Sequence, residues 1–418
     1  MGKPTSSCLS NVNRKVMNRL INHLILVALI LLSTTNLVAQ QRPTLIVLSV
    51  DGFRWDYPQH ANTPTLDSIA IVGLRSEIIP SFPSKTFPNH YTLATGLTPD
   101  HHGIIFNSFF ANDLNLNYRS NEKSSVQNPD FYGGEPIWNT AERQGVKSYV
   151  LFWVGSEAPI NGRHATRWYP YQQNIPYQAR MDSIINWLTL PEDQRPGLIM
   201  VYYHEPDGQG HHFGPNSKEV ENTVENIDQT LTYLFFKIKS LGLSKDVNVI
   251  ITTDHGMSST PKKNYINLDK YISKDLVADI QGNSPVLNFR LKNASDSIKL
   301  KTLSAVKGLK FYTTNNIPAQ LHFGSNSRIL PYLVVADSSY SIRFGTLNYA
   351  SNGNHGFDPQ IRDMHGIFYA TGPSFISRST LCSFQNVDLY DLMAKLLGIQ
   401  PSINDGNETT FQNVINCK

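Results

Sequence analysis

Three cysteines in 418 residues, one of them at position 8, are too few for a disulfide framework, so stability has to come from a packed core. No apolar run reaches the length of about 20 residues that a membrane-spanning helix needs. Charge of one sign is also missing, because 36 Lys and Arg stand against 33 Asp and Glu. This balance gives no electrostatic footprint for a nucleic-acid polymer, and any phosphate-bearing ligand must be held by a local site. After residue 40 there is no internal repeat, low-complexity tract or obvious interdomain linker. What is present is 40% hydrophobic and 11% aromatic residues, enough for a sizeable core in one large domain.

The amino-terminal segment has its own pattern. Lys3, Arg14, Lys15 and Arg19 precede an apolar run from Leu24 to Leu32, followed by Ser33-Thr34-Thr35 and a small-residue junction at Leu37-Val38-Ala39. Residues 1–39 read as a secretory signal peptide rather than a retained anchor, which implies periplasmic or secreted export without a stable membrane anchor. Removing them leaves 32 basic and 33 acidic residues over 40–418. Cys8 would leave too, and export permits a disulfide between Cys382 and Cys417. Asn293-Ala-Ser and Asn407-Glu-Thr fit the glycosylation acceptor pattern.

Short β-branched runs then recur, each stopping at an acidic residue. TLIVLSV ends at Asp51-Gly52, LIMVYY at Glu205-Pro206-Asp207, and VNVIITT at Asp254-His255-Gly256. Continuous apolar runs of this kind suit strands buried on both faces of a parallel sheet. Helical spacing lies between them, over Met181 to Leu188 and Val220 to Leu241. Strand and helix alternate, so the expected fold is an α/β three-layer sandwich with a mostly parallel sheet, whose strand order the sequence does not give. Residues 257–350 are polar with short alternating runs and read as an inserted cap or subdomain. Ligands of such sheets bind beyond the carboxyl ends of the strands, where these acids fall.

Asp207 and His211 are spaced i, i+4, while Asp254 and His255 are adjacent. Any one of these residues is unremarkable, since Asp after a strand is a common helix cap. Together, mixed carboxylate and imidazole donors suit zinc better than calcium or magnesium, which prefer oxygen. SNGNHGFDPQ adds His355 as a further donor, with His365 as its competitor ten residues on. Six or seven donors divide into two shells, and two metal ions ~3.5–4 Å apart would clamp the attacking and leaving oxygens of a phosphoryl transfer. FPSKTFPNHYTL, too polar for a core strand and too rich in proline for a helix, places Thr86 on a stiff loop. A threonine hydroxyl is a poor nucleophile unless a metal or a base activates it.

These stretches resemble one known family. LSVDGFRWDY, PSFPSKTFPNHYTLATGLTPDHHGIIFNSFF, FYGGEPIW, YYHEPDGQGHHFGP, TTDHGM and NHGFD occur in the order found in the nucleotide pyrophosphatase/phosphodiesterases of the alkaline phosphatase superfamily. The resemblance runs from residue 45 to about 375. It implies a hydrolase that cleaves phosphodiester or pyrophosphate bonds of small nucleotides through a covalent intermediate on Thr86. It also implies two zinc ions, one on Asp207, His211 and His355, the other on Asp51, Asp254, His255 and the Thr86 oxygen. Asn107 and the Phe87 N–H match donors to a phosphate oxygen, while Phe87, Tyr171 and Tyr202 match an aromatic slot for the nucleobase. His365 is left with a supporting role.

Three alternatives belong to the same superfamily, and a phosphatase, the first of them, would call for an arginine near Thr86 to bind a doubly charged monoester, which the sequence lacks there. Choline-bearing lipids are substrates of some relatives and would call for an aromatic cage. SFPSK, Ser81 to Lys85, approaches the S-x-P-x-R pattern of sulfatases, but its last residue is lysine and the donor set is rich in histidine.

Overall fold

The run TLIVLSV forms strand β1 (Thr44–Val50), and all of its residues are buried. The computed structural model describes Met17 and residues 42–345, 351–379 and 381–416. The signal reading of 1–39, apart from Met17, and the pairing of Cys382 with Cys417 lie outside the described residues. After β1 come β2 (Leu74–Ile79), β3 (Ser148–Leu151), β4 (Arg167–Tyr169), β5 (Leu198–Tyr203) and β6 (Val247–Thr252). Then follow β7 (Val277–Asn283), β8 (Val286–Leu291), β9 (Leu309–Thr313), β10 (Tyr332–Ala336), β11 (Gly366–Thr371) and β12 (Phe384–Gln385).

The central sheet has eight strands in the order β12-β2-β11-β6-β1-β5-β3-β4. Only β11 runs against its neighbours β2 and β6, so the sheet is mostly parallel, as expected for an α/β sandwich. The three acid-terminated runs are adjacent, with β1 between β5 and β6. That adjacency brings Asp51, Asp207 and Asp254 to one end of the sheet.

Among the described residues, the α-helices longer than four residues are α1 (Pro64–Val72), α2 (Thr86–Thr95), α3 (Ile137–Arg143), α4 (Tyr177–Leu188), α5 (Asp207–Phe213), α6 (Lys218–Ser240) and α7 (Leu389–Leu397). Side chains alternate across β1, which sorts them into two layers. Leu45 and Val47 pack with Leu93 of α2, Trp138 of α3 and Leu392 of α7. Ile46, Leu48 and Val50 pack with Leu66 of α1, Met181 of α4 and Val224 of α6. Helix α6 buries Val220, Val224, Ile227, Leu231, Leu234 and Ile238, a stripe at helical spacing. It starts before Val220 because Ser217 caps it, accepting a hydrogen bond from the Val220 N–H at 3.3 Å.

Strands β7 to β10 form a separate antiparallel sheet ordered β7-β8-β10-β9. It has its own core around Phe289, Leu303 and Val334, and it falls within residues 257–350.

FPSKTFPNHYTL corrects a sequence-based expectation. Thr86 lies on a helix rather than a loop: it is the first residue of α2, with Lys85 as N-cap. Pro88 falls in the first turn, where its missing N–H costs no helical bond. Asn89 fixes this start, donating through Nδ2 to the Pro83 and Lys85 carbonyls, both at 2.9 Å.

Candidate active site

Main-chain contacts between the strand ends position the carboxylates. The Asp51 N–H donates to the Tyr203 carbonyl at 2.9 Å, and the Asp207 N–H donates to the Asp51 carbonyl at 3.1 Å. The Gly52 N–H donates to Asp254 Oδ1 at 3.2 Å. Gly52 has φ +69°, and a Cβ there would lie 2.9 Å from Asp207 Cα. Both the left-handed backbone and the close approach require glycine. Gly52→Ala is therefore expected to push Asp207 away from Asp51 and to weaken metal binding at least tenfold, measured by metal titration of the folded variant. Unchanged affinity would mean that this junction does not position the carboxylates.

Each predicted histidine ligand is oriented by a backbone carbonyl. His255 Nδ1–H donates to the Gly256 carbonyl, His355 Nδ1–H to that of Ser84 and His211 Nδ1–H to that of Gly353, all at 2.8 Å. In the neutral ring this leaves Nε2 with its lone pair facing the carboxylates. His255 Nε2 lies 3.0 Å from Asp254 Oδ2 and 3.5 Å from Asp51 Oδ1. His211 and His355 place Nε2 at 3.5 and 3.6 Å from Asp207 Oδ1.

The facing carboxylate atoms, Asp51 Oδ1, Asp207 Oδ1 and Asp254 Oδ2, are buried and have no hydrogen-bond partner. Lone pairs facing unpartnered carboxylate oxygens repel unless a cation or a proton lies between them, so the donor set fits metal ions. Two groups stand out by geometry: Asp51, Asp254 and His255, and Asp207, His255 and His355. His211 joins the second through Asp207.

The imidazoles differ in their electrostatics: burial works against the charged form of His255, but the Asp254 carboxylate beside it holds the ring above the usual imidazole range. Burial, then the charges of Asp254 and Asp207, push the Asp51 carboxyl well above its usual range. Burial, reinforced by His255 and Lys85, holds His355 well below the usual imidazole range, which keeps it a neutral donor.

Thr86 Oγ1 lies 3.2 Å from His255 Nε2, at the amino end of α2. The Phe87 N–H donates to Asn107 Oδ1 at 3.0 Å, which leaves Asn107 its Nδ2 group as a donor. This differs from the expectation that the Phe87 N–H would itself be free to meet a phosphate oxygen. The Tyr202 hydroxyl donates to Asp51 Oδ2 at 2.6 Å, and its ring centroid is 5.8 Å from that of Tyr171, which is 43% exposed. Phe87 has Tyr118 as its edge-on ring neighbour.

Several residues were not anticipated from the sequence. His90, one turn after Thr86, is fully buried, with Nδ1 3.0 Å from the Thr86 carbonyl and 3.3 Å from Asp254 Oδ2. Ser49 Oγ lies 2.9 Å from its Nε2. His90 thus stands between the start of α2 and the Asp254 carboxylate. Lys85 is 3% exposed, donates to the Ser284 carbonyl at 2.9 Å, and burial draws its ammonium down to about 7. Both fall inside the motif PSFPSKTFPNHYTL, but their contacts with Asp254 and Ser284, distant in the chain, are not legible there. His365 faces Glu77 and the Pro359 carbonyl, each at 3.1 Å. Ser81 donates its hydroxyl to Asn386 Oδ1 at 2.8 Å.

A cavity of about 690 Å³ opens beside the site, with Lys85, Thr86, Asn107, Asp207, His211 and His355 in its wall.

A mostly parallel sheet, covered on both faces and carrying two clusters of carboxylate and imidazole donors at its strand ends, defines an α/β protein built around a metal site. The chain belongs to the family described as type I phosphodiesterase / nucleotide pyrophosphatase, whose family model matches residues 45–358. It is 34% identical to human ectonucleotide pyrophosphatase/phosphodiesterase family member 5 over 394 residues, which is 94% of this chain and 82% of that protein. It is also 34% identical to the venom phosphodiesterase CdcPDE of Crotalus durissus collilineatus over 388 residues, 90% of this chain and 47% of that one. The chain spans about half the length of the venom phosphodiesterases it matches. Among solved structures, mouse ectonucleotide pyrophosphatase/phosphodiesterase 5 superposes with a TM-score of 0.85 at 32% identity, covering 90% of this chain and 100% of the other. That structure is an inactive threonine-to-alanine variant in complex with AMP. No helix among the described residues is long and apolar enough to cross a membrane.

Proposed function

We propose that this chain is a zinc-dependent hydrolase of nucleotide phosphodiester and diphosphate bonds that releases nucleoside 5′-monophosphates through a covalent Thr86 intermediate. The observation that carries this reading is the position of Thr86 Oγ1, 3.2 Å from His255 Nε2, the one donor common to both metal groups. Two zinc ions, one on Asp207, His211 and His355 and one on Asp51, Asp254, His255 and Thr86, would neutralise charge on the reacting oxygens and lower the pKa of a hydroxyl or water.

The chain's own groups do the rest. The amino end of α2 and the Asn107 Nδ2 group stabilise charge on the non-bridging phosphate oxygens. Thr86 Oγ bonds to phosphorus as the bond to the leaving oxygen breaks, and that oxygen departs with a proton. Water then cleaves the Thr86–phosphorus bond, and the threonine recovers its proton. Tyr171 and Tyr202 offer faces for the nucleobase, while the Tyr202 hydroxyl fixes Asp51. The AMP complex of the mouse neighbour and the loss of activity in its threonine variant support a nucleotide substrate and a threonine nucleophile. A signal peptide over residues 1–39 would export the enzyme to the periplasm or the medium.

The test is hydrolysis of p-nitrophenyl thymidine 5′-monophosphate against p-nitrophenyl phosphate, p-nitrophenyl sulfate and p-nitrophenyl phosphorylcholine, with zinc and after chelation. A zinc-dependent preference for the thymidine ester is expected. Preference for the choline ester would move the enzyme to lipid headgroups, and sulfate activity would overturn the role of Thr86.

A further inference from the structure

The cavity beside Thr86 extends to the polar segment after β6 and reaches β7 and β8 at Ile280, Gly282 and Leu287. Its wall includes Lys262, Lys274 and Arg343, contributed by three separate parts of residues 257–350, together with the buried Lys85. Asp207 is the only carboxylate in that wall among the described residues, and it is a predicted metal ligand. The three outer cations are exposed, and none forms an ion pair or a side-chain hydrogen bond among the described residues. Three exposed cations in a wall that holds one metal-ligand carboxylate give the cavity a positive field. At about 690 Å³ it has the size of a small-molecule site.

The two metal groups differ in their relation to this space. Asp207, His211 and His355 form part of the wall, whereas Asp51, Asp254 and His255 do not, and neither do Tyr171 and Tyr202. The tyrosines lie instead with Asp51, through the Tyr202 hydroxyl. An in-line displacement by Thr86 sends the leaving oxygen away from the threonine. With the nucleoside half on the tyrosines, the cavity is left for the half that departs.

We propose that Lys262, Lys274 and Arg343 form a subsite for an anionic, phosphate-bearing leaving group, so that the enzyme favours substrates that release pyrophosphate or a phosphorylated fragment over those that release a neutral alcohol. This rests on the nucleotide reading above. Lysines and an arginine at the mouth of a cavity attract a polyanion without fixing its shape, so the subsite selects for charge rather than for one leaving group.

The experiment compares two substrates with the same thymidylyl half, thymidine triphosphate and p-nitrophenyl thymidine 5′-monophosphate, in the zinc-loaded enzyme and in the triple variant Lys262→Gln, Lys274→Gln, Arg343→Gln. The ratio of kcat/KM for triphosphate over ester is expected to fall about tenfold in the variant, the sum of three solvent-exposed charge contacts. The triphosphate preference of the unaltered enzyme should weaken as salt is raised. An unchanged ratio overturns the subsite. Equilibrium binding of both compounds, measured in a Thr86→Ala background with and without the three glutamines, separates this failure from that of the nucleotide reading. If neither compound is hydrolysed by the unaltered enzyme, the nucleotide reading falls. A selective loss of triphosphate binding would still uphold the anionic subsite, and equal binding would remove it.

Discussion

Thr86→Ala is expected to lower kcat by at least ~10³-fold while the protein stays folded and keeps its metal, because a nucleophile acts as one unit with the groups around it. The structural cost is small. Thr86 is the first residue of α2 and only partly buried, alanine is a good helix former, and the lost contact is one hydrogen bond to His255, worth about 1 kcal/mol. Asn107 and the amino end of α2 remain in the variant, so nucleotide binding should persist when hydrolysis stops. Thr86→Ser keeps the hydroxyl and loses only the methyl group that restricts its rotamer, so it should retain activity within about tenfold. Mass spectrometry of quenched turnovers should find a nucleotidyl adduct on the peptide containing Thr86 and none in the alanine variant. Equal turnover by the alanine variant would remove Thr86 from the chemistry.

The second large effect is expected from the metal clusters. Chelation should abolish activity and lower Tm, since it leaves unpartnered buried carboxylates facing imidazole lone pairs. At a thousandfold excess of metal over Kd, binding contributes ~4 kcal/mol per ion, a Tm shift of roughly 5 °C per ion in a chain of this size. Asp207→Asn and Asp254→Asn should separate the clusters. Asp207 Oδ1 faces both His211 and His355, and Asp254 Oδ2 faces His255, so each substitution should cost about one equivalent of bound metal by elemental analysis. Activity should fall at least ~10³-fold in both, because both oxygens of the displacement need their charge neutralised. Two equivalents retained in either variant would contradict the assignment of ligands to two centres.

Much of the site could be read along the chain because its chemistry is local to strand ends. A run such as VNVIITT can satisfy its hydrophobic surface only inside a sheet, so the polar Asp254 and His255 that follow must lie at its edge. The i, i+4 spacing of Asp207 and His211 likewise needs only a helix, and α5 supplies it. The misreading of FPSKTFPNHYTL has an equally local cause. Proline is tolerated in the first turn of a helix, yet it signals a break wherever the start of that helix is unknown.

The sequence by itself determined that this protein has an α/β sheet with carboxylate and imidazole side chains beyond its strands, while His355 and His365 stayed competitors until the family resemblance favoured His355. Buried apolar runs and donor types are properties of short segments. Only the tertiary structure decided that β1 lies between β5 and β6, that His90 stands between α2 and Asp254, that the Phe87 N–H holds Asn107, and that Lys262, Lys274 and Arg343 share a cavity with Thr86. Strand order and contacts between distant segments depend on how whole layers pack, and no window of neighbouring residues carries that information.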